Sequence, residues 1–317
     1  MTTSRLYVAP MMDWTDRHCR YFLRQVSSTA RLYTEMITTG ALIHGDVPRH
    51  LDFSKEEHPV ALQLGGSEPD DLAHCAKLGE KWGYDEINLN IGCPSERVQR
   101  GAFGACLMAE PQLVADCVKA IKDQVKVPVT VKHRIGLDKV DDYSFVRDFV
   151  GTVAQAGCQT FIAHARNAVL KGLSPKENRE IPPLKYDYVY RLKKDFPQLQ
   201  IVINGGIVSR EEIDKQLVQV DGVMLGRAAY HNPWILADTG NTREAVAKRM
   251  VPYAQGALRA GFSLRNITRH ILGLYHGTPR ARLWRRMLSD AALLKGNDPA
   301  LILNALDVVE GRVAEAA

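Results

Sequence analysis

The sequence lacks several features that would assign it to particular protein classes. No apolar run approaches the roughly 18 residues of a membrane span, and Pro10 precedes any apolar core of a signal peptide. The six cysteines form no C-x-x-C pair and are too scattered for a disulfide framework or a zinc site. These absences favour a reduced, cytoplasmic protein with no bound metal and no membrane partner.

Acidic residues are missing from one long part of the chain. None occurs from Ala245 to Ser289, although that stretch carries Lys248 and eight arginines. The whole chain has 41 basic and 36 acidic residues, a net charge of +5, and the positive excess lies in its last quarter. Acid-free arginine over such a length indicates a polyanion such as nucleic acid. The alternative is a basic surface that only aids solubility.

Short β-rich runs alternate with stretches of helical period, as in parallel βα units. The eight runs are Leu6–Ala9, Leu32–Glu35, Val60–Leu64, Glu86–Asn90, Val127–Lys132, Thr160–His164, Gln200–Asn204 and Gly222–Leu225. Eight such units in the first 235 residues or so predict a (β/α)₈ TIM barrel. No G-x-G-x-x-G follows a run, which argues against a Rossmann dinucleotide-binding domain.

The last part of the chain has a different pattern. A polar cluster at residues 238–242 predicts a linker, and helical period follows in residues 242–260, 264–274, 281–294 and 299–314. The sequence therefore predicts a catalytic barrel in residues 1–238 and a small, basic, all-helical C-terminal domain in residues 239–317. Within the barrel, Val169–Leu184 contains three prolines and is predicted to be a functional loop.

Polar or glycine residues follow all eight predicted strands, where barrels place their active sites. The glycines after the last two strands, with Arg227, suit a phosphate group, and Lys132 and His164 suit an anionic ring. Met11 and Met12 offer apolar surface for a planar ring. Together these residues fit a flavin mononucleotide (FMN), although tight turns, salt bridges and core packing are alternative explanations for each.

Cys93 stands in the loop Asn-Ile-Gly-Cys-Pro-Ser that follows the fourth strand. A free thiol is mostly protonated near pH 7, so Cys93 can donate a proton. A nucleophilic role, if its pKa were depressed, and a purely structural role stay open on this evidence.

These motifs resemble the tRNA-dihydrouridine synthases in order and spacing. The segments are Ala9-Pro-Met-Met12, Gln63-Leu-Gly-Gly66, Asn88-Leu-Asn-Ile-Gly-Cys-Pro94, Val131-Lys-His-Arg134, Asn204-Gly-Gly206 and Gly226-Arg227. Residues 33–36 and 174–184 further resemble the bacterial A-type subgroup, which acts on uridines 20 and 20a of the tRNA D-loop.

The resemblance implies reduction of the uracil C5–C6 bond with FMN, with NADPH as co-substrate. It implies Cys93 as the general acid that protonates C5. The implied FMN residues are Pro10, Met11, Met12, Gln63, Lys132, His164, Asn204, Gly205, Gly206, Gly226 and Arg227. The implied tRNA contacts are Asn90, Arg179, Pro182, Arg282 and Arg285.

Two alternative functions belong to other classes. The first is a flavin oxidoreductase for small molecules, of the dihydropyrimidine or dihydroorotate type. This function accounts for the polar and glycine residues after the predicted strands but not for the arginine-rich tail. An RNA-binding protein or chaperone on an inactive barrel explains the tail but gives no role to Cys93, Lys132 or His164. The oligomeric state expected is a monomer.

Overall fold

The computed structural model describes residues 5–140, 142–238 and 240–313. In this part of the chain nine strands form one parallel sheet, in the order β1-β9-β8-β7-β6-β5-β4-β2 with β3 also paired to β4. The strands are β1 (Leu6–Val8), β2 (Leu32–Tyr33), β3 (Ile37–Thr38), β4 (Val60–Gly65), β5 (Glu86–Ile91), β6 (Val129–Arg134), β7 (Thr160–His164), β8 (Gln200–Asn204) and β9 (Gly222–Leu225).

The sheet closes into a barrel next to β1. The Val8 N–H donates to the Arg31 carbonyl and the Arg31 N–H donates to the Leu6 carbonyl, both at 2.9 Å. Both β2 and β3 pair with β4, so they share one of eight barrel positions. This confirms the predicted (β/α)₈ TIM barrel. The continuous second strand predicted for Leu32–Glu35 was wrong, because the ladder stops at Tyr33 and resumes at Ile37.

Helices follow the strands and continue to the end of the described chain. They are α1 (Arg17–Val26), α2 (Thr39–His44), α3 (Val47–Leu51), α4 (Pro69–Trp82), α5 (Glu96–Arg100), α6 (Pro111–Lys122), α7 (Tyr143–Gln155), α8 (Tyr186–Asp195), α9 (Arg210–Leu217), α10 (Arg227–His231), α11 (Arg243–Arg259), α12 (Leu264–Ile271), α13 (Ala281–Ser289), α14 (Ala291–Leu294) and α15 (Ala300–Val309). None of these helices has the length and hydropathy needed to cross a membrane.

The helix predicted for residues 281–294 is divided into α13 and α14 in the structure. Asp290 lies between them in an extended conformation and accepts hydrogen bonds from the backbone N–H groups of Ala292 and Leu293. An Asp side chain that caps a helix in this way begins a new helix at the position where the hydrophobic period alone indicated continuity.

The described chain divides into two compact units. One contains the described residues up to Met12 together with Arg31–Gly226, and the other contains Asp13–Ala30 together with the residues from Arg227 onward. Helix α1 belongs to the second unit because its buried face packs on α11 and α12. In the second half of the chain the change from one unit to the other therefore lies between Gly226 and Arg227 and not at residue 238. The assignment of catalysis to residues 1–238 and of tRNA binding to residues 239–317 stays a prediction.

The second unit has its own core. The Trp284 side chain is fully buried, and its indole N–H donates to the Ile271 carbonyl at 3.0 Å. Its ring packs beside that of Tyr275, with ring centroids 5.0 Å apart. Burying an aromatic side chain with its N–H satisfied contributes strongly to packing, so α12 and α13 are held together independently of their exposed arginines.

Candidate active site

Parallel pairing brings most of the predicted cofactor residues to one end of the barrel. In the strand register Asn90 is opposite Lys132, and His164 is opposite Asn204. Gln63 on β4 hydrogen-bonds Asn90 on β5 through their carboxamides, with Asn90 Nδ2 2.9 Å from Gln63 Oε1. These contacts place side chains from five consecutive strands at the carboxyl ends where such barrels carry out chemistry.

Cys93 is half-buried in the loop that follows β5. Asn90 Oδ1 accepts hydrogen bonds from the backbone N–H groups of Gly92 at 3.1 Å and Cys93 at 2.9 Å. The thiol lies 3.4 Å from the Ser95 hydroxyl oxygen, to which it donates. The loop backbone is therefore held by a strand residue, and Cys93 itself is partly exposed.

Lys132 lies on β6 opposite Asn90, near this loop, and its pKa is lowered to about 7. Burial of the ammonium group is the main cause and nearby Arg134 adds to it, while proximity to Cys93 acts in the opposite direction. A lysine with this pKa gains a proton readily when negative charge develops beside it. His133, between these two residues in sequence, packs instead against the rings of Phe149 and Phe161.

Arg134 connects three loop segments, a role that the sequence analysis missed. Its guanidinium is buried and donates to the carbonyls of Gly92 at 3.1 Å, Asn167 at 3.3 Å and Asn178 at 2.9 Å. Gly92 precedes Cys93, and Asn178 lies in the predicted tRNA loop 169–184. The available sequence signal was a second basic residue two positions after Lys132, on the same face of the strand.

A glycine-lined surface follows β8. Gly205 and Gly206 have φ angles of +119° and +71°, which favour glycine. A Cβ atom at Gly205 would lie 2.8 Å from the His164 Cδ2 atom, and one at Gly206 would lie 2.6 Å from a Leu184 methyl group. The pKa of His164 is held well below its usual range by burial and by nearby cations, Arg134 first among them. His164 is thus a neutral imidazole packed against the buried Gly205, while Gly206 is exposed.

These residues fit an FMN cofactor. Gly206 is exposed and Gly226 is partly exposed, and glycines allow a phosphate to approach backbone N–H groups. Lys132 supplies a cation. Met11 approaches Gly226 closely, since a Cβ atom there would lie 3.9 Å from its sulfur. Pro10 is partly exposed and Met12 is 57% exposed. Arg227 begins α10, in the other compact unit, so its part in a phosphate site stays a prediction.

The predicted tRNA contacts differ in accessibility. Arg282 and Arg285 are exposed on α13 and lie three residues apart, so both project from one side of the helix. Arg179 is exposed in a short 3₁₀ helix, Glu177–Arg179. Pro182 is buried, and its carbonyl accepts a hydrogen bond from the Arg166 guanidinium. Pro182 therefore shapes the loop, and its direct contact with tRNA stays a prediction.

Comparison with known proteins identifies the family. The family described as "Dihydrouridine synthase (Dus)" matches residues 7–309. The chain is 58% identical to the "tRNA-dihydrouridine(20/20a) synthase" of Synechocystis sp. over 95% of this chain and 93% of the relative. It is 58% identical to the protein of the same name from Escherichia coli (strain K12), over 97% of this chain and 92% of that relative.

A solved structure shows the same fold at low sequence identity. A 2-naphthoyl-CoA reductase complex superposes with a TM-score of 0.56 and 10% identity, over 73% of this chain and 49% of that one. At this level of identity the likeness shows the fold alone. The family match and the close relatives show that the chain belongs to the dihydrouridine synthases, which are flavin-dependent enzymes. The resemblance expected from the motifs is confirmed.

Proposed function

We propose that this enzyme reduces the C5–C6 bond of uridines 20 and 20a in the tRNA D-loop, with FMN as cofactor and NADPH as co-substrate. The observation that carries the proposal is a half-buried thiol, Cys93, at the same barrel end as the residues that fit FMN. The names of the close relatives support the positions in tRNA. We further propose that it acts as a cytoplasmic monomer.

Each residue of the site has a distinct part in this reaction. Bound FMN would supply hydride transfer, from NADPH to uracil C6. Cys93 would deliver a proton to C5, because the residue is partly exposed while its backbone is held by Asn90. Lys132 would hold a proton against negative charge on the ring, which its pKa of about 7 permits. His164, Asn204, Gly205, Gly206, Gly226 and Arg227 would hold the remainder of the cofactor.

The tRNA would be bound by the basic helical unit and by loop 169–184. Arg282 and Arg285 on α13 would contact phosphates, with Arg179 and Pro182 acting through the loop and Asn90 lying near the target base. A uridine inside a folded D-loop must leave its stack to reach a barrel end. Recognition should therefore depend on tRNA shape and on backbone charge more than on sequence.

Position-resolved mass spectrometry of tRNA tests this function. A strain without the gene is compared with the same strain carrying the wild-type gene, and dihydrouridine is mapped along the D-loop. We expect loss at positions 20 and 20a, with the other dihydrouridine sites unchanged. Loss at a different D-loop position would contradict the assigned positions, and unchanged dihydrouridine at all sites would contradict the function in this strain.

Replacing both exposed arginines of α13 should weaken tRNA binding while sparing the flavin site. For Arg282→Ala with Arg285→Ala we expect roughly a tenfold loss of tRNA affinity and a shallower dependence of affinity on salt, because two phosphate contacts are removed. Filter binding at several salt concentrations measures both quantities. The matched control is Lys194→Ala with Lys295→Ala, which removes two exposed charges outside α13. Equal losses in both pairs would show only a general effect of net charge.

A further inference from the structure

A buried carboxyl group lies at the opposite end of the barrel from Cys93. Glu86 begins β5 and is 4% exposed, and its Oε2 atom lies 3.3 Å from the Arg31 guanidinium. Its Oε1 atom accepts hydrogen bonds from the hydroxyls of Tyr33 and Thr130, each at 2.7 Å. Burial raises the pKa of this carboxyl group, and the Arg31 guanidinium facing Oε2 opposes that shift and favours the carboxylate. A carboxylate oxygen only accepts hydrogen bonds, so the Thr130 hydroxyl directs its single hydrogen toward Oε1 of Glu86.

The direction of the Thr130 hydroxyl hydrogen determines the orientation of the side chains between Thr130 and Cys93. With its hydrogen used, the Thr130 oxygen can only accept, and it accepts from Asn88 Nδ2 at 2.7 Å. Asn88 then turns its Oδ1 atom toward Gln63, whose Nε2 donates to it at 2.7 Å. Gln63 is left with its Oε1 atom facing Asn90 Nδ2, and the remaining Asn90 oxygen holds the backbone N–H groups of Gly92 and Cys93.

The two ends of this chain of hydrogen bonds require the same direction. Backbone N–H groups can only donate, and the carboxylate can only accept. If one carboxamide were flipped, two donors would face each other at one contact and two acceptors at the next. Both mismatches are costly because the groups are buried and water cannot replace the lost hydrogen bonds. Asn88, Gln63 and Thr130 are each no more than 1% exposed. Barrel interiors are usually filled by branched apolar residues, so packing alone does not explain this polar chain.

We propose that Glu86, Thr130 and Asn88 are positioning residues, which orient the Gln63 and Asn90 carboxamides and thereby hold the backbone of Cys93 in place for proton transfer. The catalytic part of this inference rests on the proposed function of Cys93. The hold on the loop does not, because it follows from the hydrogen bonds alone. None of the three touches the reacting atoms, and they act through Gln63 and Asn90.

Thr130 offers a sharp test because Thr160 is its register partner on the next strand. Thr130→Val removes the hydroxyl that sets the direction but keeps the shape, and Thr130→Ser restores it. Thr160→Val is the matched control, since the Thr160 hydroxyl bonds Gln200 Oε1 at 2.9 Å and lies outside the chain of hydrogen bonds. Two rates are measured on FMN-loaded protein: alkylation of Cys93 by iodoacetamide, followed by peptide mass spectrometry, and reoxidation of the reduced flavin by tRNA.

For Thr130→Val we expect faster alkylation of Cys93, because the loop loosens, and reoxidation by tRNA slowed about tenfold or more. Thr130→Ser should recover both wild-type rates. Alkylation of Cys93 in Thr130→Val at the rate found in Thr160→Val would overturn the proposal. Faster alkylation with unchanged reoxidation would support the hold on the loop and instead overturn the acid role of Cys93.

Discussion

In Cys93→Ala we expect bound flavin and NADPH oxidation to persist while formation of dihydrouridine falls by about 10²-fold or more. Removal of a positioned general acid typically costs 10² to 10⁴ in rate. The predicted cofactor residues lie on or after other strands, and Asn90 holds the backbone of residue 93 rather than its side chain. The measurements are single-turnover reoxidation of reduced flavin by tRNA and mass spectrometry of the nucleoside product.

Cys106→Ala is the matched control for this change. Cys106 is also half-buried, and its thiol donates to the Phe103 carbonyl at 3.1 Å. Burial raises the pKa of that thiol, which makes it a poor source of thiolate for side reactions. Product formation in Cys106→Ala should match the wild type. Full product from Cys93→Ala would instead assign proton donation to another group, and Lys132 would be the next residue to test.

The strand ends were predictable from sequence because they depend on local pattern. Strands β6, β7 and β8 end in polar residues, and a glycine follows each of β5 and β9. The parallel register therefore brings Lys132, His164 and Asn204 to one end of the barrel. The break between β2 and β3 was not predictable in this way. At that position the Thr34 hydroxyl oxygen accepts a hydrogen bond from the Gln63 N–H, a contact between residues 29 positions apart.

Two features depended on contacts that no local pattern records. Arg134 donates hydrogen bonds to carbonyls of three separated segments. Because every residue has a carbonyl group, the sequence does not show which carbonyls Arg134 contacts. Helix α1 follows β1 directly in sequence, yet its core partners are α11 and α12, more than 200 residues later. The apolar face of α1 indicates that the helix packs against another element. Only the tertiary structure shows that this element is the pair of helices α11 and α12.

This protein should lose stability at pH values well above the ordinary pKa of its carboxyl groups. Two buried histidines cause the loss. Burial is the main cause that lowers the pKa of His18 and of His133 to about 4, from an ordinary value of about 6.5. The Nε2 atom of each is buried without a hydrogen-bond partner among the described residues. The folded protein therefore keeps both imidazoles neutral at a pH where the unfolded chain has protonated them.

The sign follows from proton linkage. No stability is lost to these groups above about pH 6.5, and the loss grows as the pH falls through 6.5 and is complete below about pH 4. At pH 5 each histidine should lower the free energy of unfolding by about 2 kcal/mol relative to its value above pH 6.5. Urea unfolding at pH 7 and pH 5 measures the total. In His18→Gln and His133→Gln, which cannot titrate there, the difference between the two pH values should shrink by about 2 kcal/mol each.

The control separates a pH effect from a loss of packing. His44 is exposed on α2, so His44→Gln should leave the difference between pH 7 and pH 5 unaltered. A buried glutamine lowers stability at both pH values alike, whereas removal of a titrating group changes only the difference. An unchanged difference in both buried-site variants would mean that these imidazoles reach water in the folded protein. The packing of His133 against Phe149 and Phe161 argues against that.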